Sequence, residues 1–371
     1  MMTSLGMAAA TVGRGEELRE ESVEAFRAAV DQAVRDRVIA GGAWWVERGG
    51  VSVNGVSGEA VKVPEEERRV VEEGTIFDVA SLTKVVVTTP CVMRLVEAGA
   101  VDLTAPVKAY VPAFEGEGRE RITVRQLLTH TSGLRPGLSR VEAWSGYDEG
   151  IRIACETVPL EMPDEVFCYS DINFILLGEL VQQVTGKGLE VFAKEVVFGP
   201  LGMEDTGFRP DGALRERIAA TEKDEAGVML CGVVHDPTAR RMGGVAGHAG
   251  LFSTVRDVAR YARCVISGGE LDGKRVLKPE TVELMTRVAT PNGMVDLRAL
   301  GWDVDTKFSR PRGGFPVGRS FGHTGFTGCC VWLDPGAKAF FVFLSNRLHE
   351  TDPKSDSRAL YEVLGGHASR A

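Results

Sequence analysis

A chain of 371 residues, 44% hydrophobic and 26% charged, has room for two ordinary domains or one large domain with an insertion, around a well-buried core. A formal net charge of −9 with no Lys/Arg run excludes a general nucleic-acid binder. No stretch approaches the roughly 20 apolar residues of a membrane helix, so no membrane span is expected.

Met1 to Val12 lacks a basic n-region and a hydrophobic segment of signal-peptide character, and residues 1–19 read as a flexible tail. Ser22 to Val38 follows as an amphipathic helix with Val23, Phe26, Val30, Ala33 and Val34 on one face. Two strand-like runs, Ala43 to Glu47 and Val51 to Val56, are joined by Arg48-Gly49-Gly50 as a hairpin. After a polar stretch and Ile76 to Ala80, the pattern turns helical: Leu82 to Ala98 with Gly99 as its cap, then Val124 to Thr129, Ile151 to Glu156, Ile172 to Val184, Leu189 to Phe198 and Val255 to Ile266. Strand character returns at Phe321 to Thr324, Cys329 to Leu333 and Ala339 to Leu344, and Arg358 to Leu364 closes the chain as a helix.

That order predicts an α+β fold: an antiparallel sheet built from both chain ends, flanked by helices, with an all-helical lobe inserted. The expected division is residues 20–80 plus 290–371 for the sheet domain and 81–289 for the mainly helical lobe. Seven cysteines, an odd number without C-x-x-C spacing and with Cys329 and Cys330 adjacent, imply free thiols in a reducing compartment, hence a cytoplasmic protein.

Three short segments carry possible chemistry. Ser81-Leu82-Thr83-Lys84 places a serine and a lysine three apart at a helix start, so their side chains share a face. A serine needs a neighbouring base to act as nucleophile, and a lysine serves if burial among Val79, Ala80, Val85 and Val86 depresses its pKa. Taken alone, the tetrad is equally an N-cap serine followed by a solvent-facing lysine. Tyr169-Ser170-Asp171 precedes a helix; its tyrosine suits proton transfer beside a lysine, or simply half-buried packing with Ser170 or Asp171 as N-cap. His323-Thr324-Gly325 lies on a strand whose edge offers an N–H to an oxyanion, with Gly325 permitting close approach of a substrate and His323 and Thr324 available to its carboxylate or carbonyl; a glycine-rich turn reads the same way. His130, His235 and His248 have no metal-binding spacing, so neither metal nor other cofactor is expected. His248, in a glycine-rich loop, reads as pocket lining or as a structural hydrogen-bonding residue. The tryptophans read as core or pocket wall, and Cys168 as packing.

Together, in this order and at this wide spacing, the three segments resemble the β-lactamase and penicillin-binding protein superfamily, and in particular the branch of class C β-lactamases, serine DD-peptidases and β-lactamase-like esterases. Phe77 to Lys84, Thr123 to Leu134, Gly199 to Met203 and Gly247 to Thr254 are similar to further segments of that branch, and the likeness spans roughly residues 20 to 365. The resemblance implies Ser81 as the acylated nucleophile, Lys84 as its helix-mate, Tyr169 as general base and acid, and the N–H groups of Ser81 and Phe326 as oxyanion hole. It also brings Asn173 near the substrate. Two positions depart from it: Asp171 stands where class C β-lactamases carry Asn, and His323 where typical β-lactamases carry Lys. Both weaken the case for β-lactam hydrolysis.

The expectation is therefore a serine hydrolase acting through a Ser81 acyl-enzyme on a small-molecule acyl substrate: an ester, an amide or a cell-wall-derived peptide. The alternatives are DD-carboxypeptidase or β-lactamase-type activity, or a penicillin-binding-like protein without catalysis. Oligomeric state is not legible in the sequence.

Overall fold

The computed structural model describes residues 18–138, 143–351 and 357–371. All but the last two residues of the expected N-terminal tail lie outside these, and Leu18 already packs against the core.

The chain begins with helix α1, Glu20–Arg35, whose Val23, Phe26, Val30 and Ala33 are buried at the three-and-four spacing of one helix face. Strands β1 (Gly41–Arg48) and β2 (Val51–Val61) pair as a hairpin with Arg48 opposite Val51. Gly49 and Gly50 both take positive φ, as the two-residue turn that matches strand twist requires. Next come β3 (Arg69–Val70) and β4 (Phe77–Asp78); β5 (Gly207–Phe208) and β6 (Leu251–Ser253); the small hairpin β7 (Glu270–Leu271) and β8 (Lys274–Arg275); and β9 (Leu297–Arg298) and β10 (Asp303–Asp305). The last three strands are β11 (Phe321–Gly325), β12 (Cys329–Asp334) and β13 (Ala339–Ser345).

The main sheet has the order β3-β2-β1-β13-β12-β11-β10-β9, with every pair antiparallel. Its strands come from both ends of the chain, and the α+β class read from the sequence holds. Strand β13 is buried along its whole length, which explains its unbroken apolar run. The strand period of two sorts its side chains: Phe341 and Phe343 face α1 and the helix Ser357–Ala368, whereas Phe340, Val342 and Leu344 face the larger core. Phe26 of α1 meets Trp44 and Phe341 at centroid distances of 5.2 and 5.9 Å. The stretch 81–289 is mainly helical but also carries β5 to β8; β5 and β6 join β4 in a second sheet, ordered β4-β6-β5. Among the described residues, no helix is long and apolar enough to cross a membrane, and all seven cysteines are free thiols.

Two helical segments read as continuous from their apolar pattern are not uniform. The run after Ser81 begins with a π-turn, Lys84–Thr88, before α-helix α2, Thr89–Glu97, and Leu189–Ala193 likewise passes into a π-turn at Lys194–Phe198. Apolar periodicity does not report a change of hydrogen-bond step, and such turns often occur at functional sites.

Candidate active site

Ser81 stands at the junction of a strand and a helix. Strand β4 is held by β6, with Phe77 opposite Ser253 and Asp78 opposite Phe252, and Val79 N–H donates to Leu251 O at 3.0 Å. Ala80 then takes φ +46°, an uncommon conformation for a residue with a side chain. The buried Asp78 carboxylate holds this turn: it accepts from Ala80 N at 2.9 Å and from His235 N at 2.7 Å. Burial raises the pKa of that carboxyl against the lowering effect of the two N–H groups.

Lys84 is fully buried, and its ammonium donates three hydrogen bonds: to Ser81 Oγ at 3.0 Å, Asp171 Oδ1 at 2.8 Å and the His248 carbonyl at 3.0 Å. Three protons meet three acceptors. From the sequence, burial is expected to depress the lysine. Burial does pull in that direction and is the largest single influence, but Asp171 and Tyr169 together outweigh it and hold Lys84 above its ordinary value. Lys84 is a charged donor to Ser81 rather than a neutral amine.

Asp171 opens the helix Asp171–Thr185. Neither it nor Ser170 caps that helix in the expected way, since Ser170 Oγ donates to Arg135 O at 2.6 Å and the Asp171 carboxylate turns to Lys84. Asn173 lies two residues on, and such positions do not share a helix face. It is accordingly buried, bonded to Ser132 Oγ at 2.6 Å and His130 Nδ1 at 3.2 Å, and does not reach the cleft where substrate contact was expected.

Tyr169 is placed by His130. That residue ends helix α3, Val124–Thr129, in the left-handed conformation, φ +58°, after a start sealed by the Thr123–Gln126 capping box. Cys168 N–H donates to His130 O at 3.0 Å and Ser170 N–H to His130 Nδ1 at 3.1 Å, so both neighbours of the tyrosine hang on one histidine. The imidazole also packs on the Tyr169 ring, 4.5 Å between centroids, and Lys84 Nζ lies 4.9 Å from that ring's centre. Accepting at Nδ1 puts the His130 proton on Nε2, and burial, Arg298 and Lys84 push its pKa well below the ordinary value. In the sequence His130 stands out only as a candidate metal ligand without the spacing for one, although the Thr129-His130-Thr131 segment is among those that carry the resemblance.

The third segment divides by the pleat. Thr324 lines the cleft, so His323 points inward; it is 3% exposed, with Nδ1 bonded to Thr324 O at 2.8 Å. The substrate contact expected of His323 is not made available, and burial, Arg298 and Lys84 push its pKa well down, leaving it neutral. A Cβ at Gly325 would meet Val79 O at 2.4 Å, so the glycine also lets its strand approach the segment before Ser81.

Ser81, Tyr169, Asp171, Thr324, Gly325 and Phe326 line one cleft of about 1030 Å³. Phe326 is 63% exposed at its rim, between the stacked ring of His235 at 5.6 Å and the Arg347 guanidinium at 4.9 Å. Among the described residues, neither Ser81 N–H nor Phe326 N–H donates to a protein acceptor. His248 is buried below the cleft; its carbonyl receives Lys84 and its Nε2 meets Asp236 Oδ1 at 3.0 Å. Asp236, which no sequence pattern signalled, would be raised by burial, but His248 holds it well below the carboxylate range. Asp171, Asp236 and His248 bring ligand atoms within 4.8 Å of one another. Lys84 supplies the cation at Asp171, and His248 engages Asp236.

The fold recurs in known proteins. Residues 26–365 match the Beta-lactamase family, and the chain belongs to it. A protein of Escherichia coli K12 named "Putative D-alanyl-D-alanine carboxypeptidase" is 30% identical over 317 residues, covering 76% of this chain and 72% of that protein. Among solved structures, a penicillin-binding protein homologue from Caulobacter crescentus superposes with a TM-score of 0.75 at 20% identity, over 95% of this chain and 98% of its own. A family VIII carboxylesterase gives 0.74 at 22% identity, over 96% and 99%. The chain is a serine hydrolase of this family.

Proposed function

We propose that the protein hydrolyses esters, amides or cell-wall-derived peptides through an acyl-enzyme on Ser81. The observation that carries this reading is the threefold bonding of Lys84, which anchors Ser81 Oγ while keeping its own protons. Tyr169 is then the group that exchanges protons with Ser81 during attack and passes one to the departing group. The Lys84 charge steadies the negative charge that builds on the nucleophile side, and the N–H groups of Ser81 and Phe326 receive the carbonyl oxygen as it becomes an oxyanion. Water reaching the acyl-enzyme from the open cleft is deprotonated by the same tyrosine.

Small neutral esters are the preferred test substrates. They need only the nucleophile and the oxyanion donors, whereas a β-lactam also brings a carboxylate. The lysine that would meet it in a typical β-lactamase is replaced here by the buried, neutral His323. Asp171 lies against the Lys84 ammonium, so it adds little repulsion toward that carboxylate. The kcat/KM for p-nitrophenyl butyrate is expected to exceed that for a chromogenic cephalosporin at the same pH. A cephalosporin value tenfold higher, about 1.4 kcal/mol in transition-state preference, rules this out. A fluorophosphonate should add to Ser81 in the same preparation, detected by mass.

One observation favours a carboxypeptidase reading. Arg347 and Arg358 line the cleft together with Thr324, which gives a terminal carboxylate cationic neighbours. A kcat/KM for release of D-alanine from a peptide ending in D-Ala-D-Ala that exceeds the value for a p-nitrophenyl ester distinguishes this substrate class from neutral esters.

A further inference from the structure

The two N–H groups assigned to the oxyanion hole belong to different sheets. Ser81 follows β4, in the three-stranded sheet, and Phe326 follows β11, in the eight-stranded one. No β-ladder joins these strands, so the spacing between the two donors must be set by something other than sheet geometry.

A short side-chain hydrogen bond bridges them, beside a longer contact of Cys329 Sγ with the same Asp78 carbonyl at 3.8 Å. Thr327 Oγ1 donates to the main-chain carbonyl of Asp78 at 2.6 Å, and both residues are buried. Asp78 is the residue whose carboxylate holds the Ala80 turn, so one amino acid receives the oxyanion turn on its carbonyl and braces the nucleophile turn with its side chain. The backbones are already in touch beside this bond, because a Cβ on Gly325 would meet Val79 O. On its outer side the 325–328 turn is held by Arg347, whose N–H donates to Thr327 O at 3.0 Å and whose guanidinium donates through Nε and Nη2 to Phe326 O, the Nε bond being 3.1 Å. The peptide unit after Phe326 is thus fixed from two directions.

We propose that Thr327 is a positioning residue for the reaction: its hydroxyl, bonded to Asp78 O, sets the distance between the Ser81 and Phe326 N–H groups, with Arg347 clamping the other side of the turn. An oxyanion donor acts only within a narrow range, about 2.7 to 3.1 Å from the developing oxygen, and losing one costs about 10²- to 10³-fold in kcat. Displacing one is expected to cost part of that. The proposal rests on the reading of Ser81 and Phe326 given above.

The experiment compares wild type with Thr327→Val, Thr327→Ser and Arg347→Gln on a p-nitrophenyl ester. It measures kcat, KM, the affinity of an alkyl boronic acid that forms a tetrahedral adduct on Ser81, and the melting temperature. Thr327→Val, nearly isosteric but without the hydroxyl, should lower kcat about 10- to 100-fold with KM changed by less than about threefold. Thr327→Ser, which keeps the hydroxyl, should return kcat to within about threefold of wild type. Boronate affinity should fall in step with kcat/KM across the series, because the adduct uses the same two donors. A role confined to stability would instead lower the melting temperature and leave boronate affinity of the folded protein intact, and that outcome overturns the proposal. So does a Thr327→Val kcat within about threefold of an active wild type. If Thr327→Val does not fold, Thr327→Ser with boronate affinity unchanged and Arg347→Gln with it reduced support the clamp, and Arg347→Gln at wild-type affinity overturns it. A wild type that neither turns over the ester nor forms the adduct removes the Ser81 reading and the proposal together.

Discussion

The two sides of Tyr169 are built on opposite principles. Toward Ser81, charge is matched to charge: the Lys84 ammonium has three acceptors, and the Asp171 carboxylate lies against it. Behind the tyrosine, polar groups are buried without full pairing. His130 Nε2, His323 Nε2 and Arg298 Nε have no hydrogen-bond partner among the described residues. There Arg298 is the cation, 3.4 Å from Asp303 Oδ1 and bonded to Gly301 O at 2.8 Å, and both imidazoles are held neutral. The difference separates roles. Matched charges keep a lysine protonated inside the protein, where burial alone would neutralise it. The two neutral imidazoles pack behind Tyr169 and take up no second proton near pH 7.

The largest expected effect breaks the nucleophile side. Ser81→Ala should lower turnover by at least about four orders of magnitude, as loss of a catalytic serine does elsewhere, while the melting temperature moves little because one small residue replaces another at a half-exposed turn. Activity above a few per cent of wild type is the result that rejects the assignment.

Asp171→Asn tests whether charge matching matters. The amide can still accept a hydrogen bond but no longer balances Lys84, so burial should drive the lysine toward its neutral form. We expect kcat/KM to fall about 10²- to 10³-fold, comparable to losing one preorganised electrostatic partner. In wild type the raised Lys84 pKa contributes stability that is complete below the unfolded value, about 10.4, and is lost as pH rises through the higher folded value. The stability gap between wild type and Asp171→Asn, read from urea unfolding, should therefore be widest near pH 7 and narrow above about pH 10.4. A gap independent of pH shows that Asp171 acts through packing.

The smallest effect tests the neutral layer. With the folded pKa of His323 far below 6.5, the unfolded chain binds a proton that the folded chain does not, so this residue subtracts stability as pH falls through about 6.5. His323→Gln should remove that contribution, making the stability curve between pH 6.5 and 5 shallower by up to about 1.4 kcal/mol per pH unit. An unchanged slope means that His323 is charged in the folded protein and the contrast drawn above is wrong.

Much of the site was legible because its residues are neighbours along the chain or match a recurring pattern. Ser81 and Lys84 share a helical turn, and Tyr169 with Asp171 precedes an apolar helix. What the sequence reading missed has a common cause. Asn173 and His323 were placed in the cleft by proximity in sequence, but two steps along a helix and one step along a strand turn a side chain away. His130 was dismissed for lack of metal spacing, and its task, holding both peptides beside Tyr169, is carried out 40 residues away in the chain. Arg298 and Asp236 stand in no local pattern at all, and Thr327, although it follows the third motif directly, gives no sign of its partner Asp78.

Sequence alone determined the longer helices and the main strands at both chain ends, because apolar period, glycine turns and capping residues act within a few residues of themselves. Helix α3 was predicted over Val124–Thr129 and is found there, and the three C-terminal strands were predicted to within one residue at each end. Sequence also singled out the serine, the lysine and the tyrosine. Only the tertiary structure decided the protonation state of the lysine, because burial and a carboxylate 87 positions away oppose each other and their balance depends on distance. It decided in the same way which side of each motif meets the cleft, and it brought the Ser81 and Phe326 turns together through a bond between Thr327 and Asp78, 249 positions apart, for which no periodicity along the chain exists.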